Sequence, residues 1–103
     1  MLYCKLVRDN IPKIIEKSGK SALIDTLSDK DYEIFLERKL DEEVQEYHDS
    51  KDIEELADIL EILIALAKIQ GCSFSDLVNL QTKKAREKGS FSKKILLISV
   101  AEK

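Results

Sequence analysis

Residues 41–58 read Asp-Glu-Glu-Val-Gln-Glu-Tyr-His-Asp-Ser-Lys-Asp-Ile-Glu-Glu-Leu-Ala-Asp, and this stretch decides the fold. Running into its first half, Tyr32, Leu36, Leu40, Val44 and Tyr47 recur at helical spacing. Running out of its second half, Leu56, Ile59, Leu60, Leu63 and Ala67 do the same. Between the two stripes Asp49-Ser50-Lys51 breaks the pattern, and Asp52 followed by Glu55 marks a new helix start. Ser28 followed by Asp31 opens the first helix, and Gly71 suits the residue just past the end of the second. So short a connection places the two helices antiparallel and side by side.

That geometry gathers carboxylates. Glu43 with Glu46, and Glu55 with Asp58, are i, i+3 pairs, so each pair shares a helix face beside the apolar stripe. Glu46 lies about one turn before the loop and Glu55 about one turn after it, with Glu43 and Asp58 one turn deeper on each side. The four can meet at the same height along the hairpin. Like charges at a half-buried helix interface repel unless protons or a cation neutralise them. An all-oxygen set with no Cys or His beside it suits Mg²⁺ or Mn²⁺, not Zn²⁺. The same spacing also occurs on an acidic helix face that is simply solvated, and spacing alone leaves both readings open.

Outward from the hairpin, Ser73 and Asp76 start a last helix carrying Leu77, Leu80 and a basic run to Gly89. Towards the N-terminus, Ile11, Ile14 and Ile15 predict a short helix over 10–17, with Asp9 or Asn10 as its cap, Pro12 in its first turn and Gly19 beyond its end. Leu2 to Val7 reads as a strand or an extended arm. The β-prone tail from Ile95 to Val100 is a candidate to pair with it. The expected fold is all-α: an antiparallel bundle of about four helices with short β-prone termini.

A chain of 103 residues fits one domain, 1–103, and a core that small gains from oligomerisation. With 44% hydrophobic and 36% charged residues, the composition is that of a folded helical protein with solvated outer faces. Net charge is −3, so no global field favours a nucleic-acid polymer, although basic residues cluster between Lys83 and Lys94. The longest apolar runs, Ile62 to Ala67 and Ile95 to Ala101, are too short to span a membrane, and Met1 to Arg8 lack the apolar stretch of a secretory leader. Cys4 and Cys72 have no CxxC spacing and read as reduced thiols, so a cytoplasmic location is expected. His48 reads as a solvent-facing residue at a helix C-terminus, and no nucleophilic triad or Gly-rich phosphate loop can be assembled. Tyr32, Phe35, Tyr47 and Phe74 read as core or interface residues.

The motif EExxE (Glu42, Glu43, Glu46) followed by ExxD (Glu55, Asp58) resembles the signature of the MazG-like all-α nucleoside triphosphate pyrophosphatases, which include phosphoribosyl-ATP pyrophosphohydrolases. Lys5 to Ile15, KLVRDNIPKII, is similar to the KLVRDKIPEII opening of a house-cleaning branch of that superfamily. Lys84 to Phe91, KAREKGSF, is similar to that branch's KxxxRGGF segment. Together the three elements span nearly the whole chain.

The resemblance implies Mg²⁺-dependent hydrolysis of a nucleoside triphosphate to the monophosphate and pyrophosphate. It implies that Glu43, Glu46, Glu55 and Asp58 ligate the metal, and that Glu42 is a helper to the water or the ligands. Lys84 would contact substrate phosphate, with Lys88, Lys5 and Arg8 as further candidates; Lys5, Arg8 and Asp9 could instead close the site structurally. Asn10, Lys88 and Ser90 depart from the branch's Lys, Arg and Gly, and Lys88 loses the bidentate fork of arginine. A homodimer or homotetramer is expected. Two alternatives stay open: phosphoribosyl-ATP as the substrate, or a non-catalytic helical dimerisation module.

Overall fold

The computed structural model describes residues 4–103. It contains α1 (Ile11–Lys17), α2 (Asp29–Ser50), α3 (Ile53–Ile69) and α4 (Phe74–Lys88), and no strand among the described residues.

Local chemistry explains each boundary. The Ser28 hydroxyl accepts from the Asp31 N–H to start α2. At its end Lys51 takes a left-handed conformation (φ 58°) and donates its N–H to the Tyr47 carbonyl at 2.8 Å. Asp52 follows at once, its carboxylate accepting from the Glu54 N–H at 3.1 Å to cap α3. Two residues therefore turn the chain through the hairpin. Gly71 closes α3 with φ 78°, its N–H reaching the Lys68 carbonyl while the Cys72 N–H reaches Ala67, the paired bonds of a Schellman motif. Ser73 and Asp76 form a reciprocal capping box at the start of α4.

Four local expectations are corrected. Asp49 and Ser50, read as part of the break, still belong to α2, and Lys51 and Asp52 make the turn. Asn10 occupies the position before α1 but in helical backbone geometry, and its side chain makes no cap bond. Glu55 does not reach back to cap α3; its carboxylate faces α2 instead. The tail from Ile95 to Val100 pairs with nothing among the described residues and runs as irregular chain, its large apolar side chains 75–88% exposed. A lone strand has no ladder to satisfy its backbone, so β propensity without a partner yields exposed coil. Leu2 and Tyr3 of the arm lie outside the described residues.

Packing centres on the α2–α3 hairpin, with α4 against α3 and not against α2. Leu36 on α2 and Ile62 on α3 are its buried apolar residues, 3% and 7% exposed. Much apolar surface stays open, including Leu56, Leu60 and Leu63 on α3 and Phe74, Val78 and Leu80 on α4. The accessible surface is 9570 Å² and the radius of gyration 18.5 Å. A compact monomer of this mass would show about 5,900 Å² and about 13 Å. No described helix is long and apolar enough to cross a membrane.

Candidate metal centre

The two-residue connection sets α2 and α3 in register, so that Glu43 and Glu46 meet Glu55 and Asp58 near the loop end of the hairpin. Carboxylate oxygens of Glu43, Glu55 and Asp58 all lie within 4.8 Å of one another. So do those of Glu42, Glu43 and Glu46. Glu43 belongs to both groups, and Glu46 acts electrostatically on Glu55 across the interface. The four expected carboxylates thus fall into two triads that share Glu43: Glu55 and Asp58 join it in one, while Glu46 joins it in the other together with Glu42.

Burial makes this arrangement costly. Glu43 is only 6% exposed, and the Oε2 atoms of Glu43 and Glu55 are buried without a hydrogen-bond partner. Orphaned buried oxygens are rare in folded proteins, and ionised ones rarer. The strain shows in Glu55, whose pKa is pushed from the ordinary 4.5 up to about 7. Loss of water is the largest cause; closeness to the Glu43 carboxyl, to which a protonated Glu55 can donate, and the Glu46 charge add to it.

A hard divalent cation fits this donor set. Oxygens that ligate one such ion lie within roughly twice a metal–oxygen bond of 2.0–2.6 Å, and an ion there would give both orphaned oxygens the positive charge they lack. Glu43, Glu46, Glu55 and Asp58 are the residues that could hold it.

Arg8 and Lys39 already lean on the cluster. Arg8 Nη2 donates to Asp58 Oδ1 at 2.7 Å, bringing the N-terminal arm against α3. Lys39 Nζ lies 3.2 Å from Glu43 Oε1 and 3.7 Å from Glu42 Oε1. Lys39 escaped the sequence reading, yet its signal is present: it stands three and four residues before Glu42 and Glu43, the spacing of a helical ion pair. Lys5 lines a cleft of roughly 130 Å³ with Phe35, Arg38, Lys39 and Glu42, beside the same acidic face.

The basic residues of α4 do not pair with the cluster. Lys84 and Lys88 are exposed and make no ion pair with the carboxylates, and α4 does not approach α2. Lys88, Gly89, Ser90, Phe91, Lys93 and Lys94 border a separate open concavity of about 500 Å³. His48 is exposed in the last turn of α2 and plays no part in the cluster.

No family model matches the chain, and no solved structure matches it. A protein of Mycolicibacterium smegmatis, described as uncharacterized, is 55% identical over 42 residues, which is 41% of this chain. That match covers 43% of the relative's length.

Proposed function

We propose that the chain is a MazG-like, divalent-cation-dependent nucleotide pyrophosphohydrolase that converts a nucleoside triphosphate to the monophosphate and pyrophosphate. The observation that carries this reading is the pair of orphaned buried oxygens, on Glu43 and Glu55, inside a cluster of acidic residues. A merely solvated acidic face would turn its carboxylates to water; here Glu43 is buried and Glu55 half-buried, each with one oxygen that meets neither water nor a donor. The KLVRDNIPKII and KAREKGSF segments add the nucleotide direction by resemblance.

In this reading Glu43, Glu46, Glu55 and Asp58 hold Mg²⁺, or Mn²⁺ in its place. When bound, the ion neutralises substrate phosphate oxygens and the charge that gathers on the leaving pyrophosphate. Glu42 or Glu46 positions the attacking water and takes its proton as the new bond to phosphorus forms. Lys84, with Lys88, binds the phosphoryl oxygens, which requires a neighbouring subunit or a movement of α4. A homodimer or homotetramer belongs to the same proposal. The accessible area exceeds that of a compact monomer by about 3,700 Å² per chain, enough for an interface of the obligate class, which buries upwards of about 2,000 Å² summed over both partners. The two free thiols are consistent with a cytoplasmic setting.

The test is pyrophosphate release from a panel of standard and damaged nucleoside triphosphates and phosphoribosyl-ATP, with Mg²⁺ and with EDTA. Metal-dependent release by the wild type, lost in Glu55→Ala and Asp58→Ala, is the expected result. The rival reading, a non-catalytic helical dimerisation module, draws on the open apolar faces of α3 and α4. It predicts silence across the panel from a folded protein whose melting temperature Mg²⁺ does not move.

A further inference from the structure

Arg8 is the feature that the proposed reaction leaves unexplained. It precedes α1, to which its carbonyl is tied by the Ile11 N–H at 3.0 Å, and its guanidinium reaches across fifty residues of sequence to Asp58. The chain just before it, Cys4 to Leu6, lies along the cleft bordered by Lys39 and Glu42. The described part of the arm, Cys4 to Arg8, is thus held over the acidic end of the hairpin, and the Arg8–Asp58 pair is a direct side-chain bond between arm and cluster.

We propose that Arg8 is a displaceable counter-ion, a latch that holds the N-terminal arm on Asp58 until a divalent cation takes that carboxylate. The inference rests on the cation-binding reading above and concerns how the same site is regulated. Both partners are open to solvent, at 55% and 41% side-chain exposure, so the pair is weak and water or ions reach it freely. Asp58 shares its triad with the buried Glu43, whose Oε2 has no donor, so an arriving dication is drawn to the site by more than Asp58 alone. A carboxylate that gives its charge to a dication attracts a guanidinium less, and by linkage a latched guanidinium weakens cation binding to the same degree. Once released, Arg8 presents a planar fork suited to a phosphate. Cation binding would then open the arm and supply a group for the substrate in one step. If Arg8 instead holds Asp58 in ligating geometry, the coupling has the opposite sign.

The experiment reads Mg²⁺ affinity by calorimetry and arm mobility by a nitroxide on Cys4, with Cys72→Ser removing the second thiol. Mg²⁺ is diamagnetic, so the line shape reports the arm alone. In the wild type, Mg²⁺ should sharpen the nitroxide spectrum. Arg8→Gln should have a mobile arm without metal and bind Mg²⁺ about two- to fivefold more tightly, as expected for loss of an exposed competing pair. Lys13→Gln, which removes an equal charge from α1, should leave the arm latched. Asp58→Asn should free the arm with no metal present, a check that does not depend on how Arg8→Gln folds. Weaker Mg²⁺ binding in Arg8→Gln, or an arm that stays fixed while the wild type binds Mg²⁺, overturns the latch and leaves the metal site standing. Absence of Mg²⁺ binding in wild type and variants alike removes the metal reading, and the latch with it.

Discussion

Glu43 on α2 and Glu55 on α3 face each other across the hairpin, each with one buried oxygen that no donor serves. Two acids in this relation cannot both ionise cheaply, and the protein answers by raising Glu55 to about 7. The consequences are measurable in the metal-free protein as well as in the loaded one.

The first concerns pH. A carboxyl whose folded pKa is raised binds more protons when folded than when unfolded, between about 4.5 and about 7. Stability from this group is therefore present at low pH and is lost as pH rises through that window. Metal-free protein should melt higher at pH 5.5 than at pH 8, and the stabilisation by Mg²⁺ should grow over the same interval. Proton release on Mg²⁺ binding near pH 7, read by calorimetry in buffers of different ionisation enthalpy, checks the linkage; binding with no proton release would contradict it.

Glu43→Gln keeps the shape of the central carboxylate and removes its charge. Turnover should fall by at least about 100-fold, the scale expected when one charged group of a preorganised site is lost. The Glu55 pKa should drop towards its ordinary value, because the partner carboxylate and its charge are gone. Metal-free stability should hold or rise, since repulsion is relieved. A variant that keeps both turnover and Mg²⁺ affinity would remove Glu43 from the site.

Lys39→Ala tests the cation that the structure adds. It strips the counter-ion from Glu43 Oε1 and should cost about 0.3–1 kcal/mol in the metal-free protein, the range of a helical i, i+4 pair or a partly exposed ion pair. Saturating Mg²⁺ should recover much of that loss. Paired melts of wild type and variant, with and without metal, decide it.

Leu36→Ala removes the most buried apolar side chain among the described residues, at 3% exposure. A loss of about 2–5 kcal/mol is expected for a leucine in such a place. On a chain with so few buried apolar residues that loss should unfold much of the subunit, as circular dichroism would show. The same change at Leu23, which is fully exposed, should be nearly neutral.

Assembly is the fifth prediction. Leu60→Glu and Leu80→Glu place charges on the open apolar faces of α3 and α4 while leaving the carboxylates alone. If those faces are covered by another copy of the chain, light scattering should report a dimer or tetramer for wild type and a smaller species for the variants. A wild-type monomer at micromolar concentration would remove oligomerisation from the proposal.

Much of this was legible in the residues themselves. The hairpin, the caps at Ser28, Asp52 and Ser73 and the stop at Gly71 all depend on side chains acting within a turn of where they stand, whereas the break expected from Asp49 came two residues later, at Lys51. The i, i+3 spacing of Glu43 with Glu46 and of Glu55 with Asp58 put each pair on one face for the same local reason. Lys39 was equally legible and was passed over.

Other features needed the chain in three dimensions. The Arg8–Asp58 bond joins residues fifty apart, and nothing in the composition of the arm says which acid it meets. The tail from Ile95 to Val100 has strand chemistry, but a strand exists only where a partner backbone stands, and none stands there among the described residues. Lys84 and Lys88 share the charge expected of a phosphate site, yet α4 packs on α3 and not on α2, and neither lysine forms an ion pair with the carboxylates. Sequence determined the helices and which carboxylates share a face, because both follow from a period of 3.6 residues. Tertiary structure decided which oxygens are buried without a donor, which cations reach them and which apolar faces stay open, because those depend on how elements distant in sequence pack.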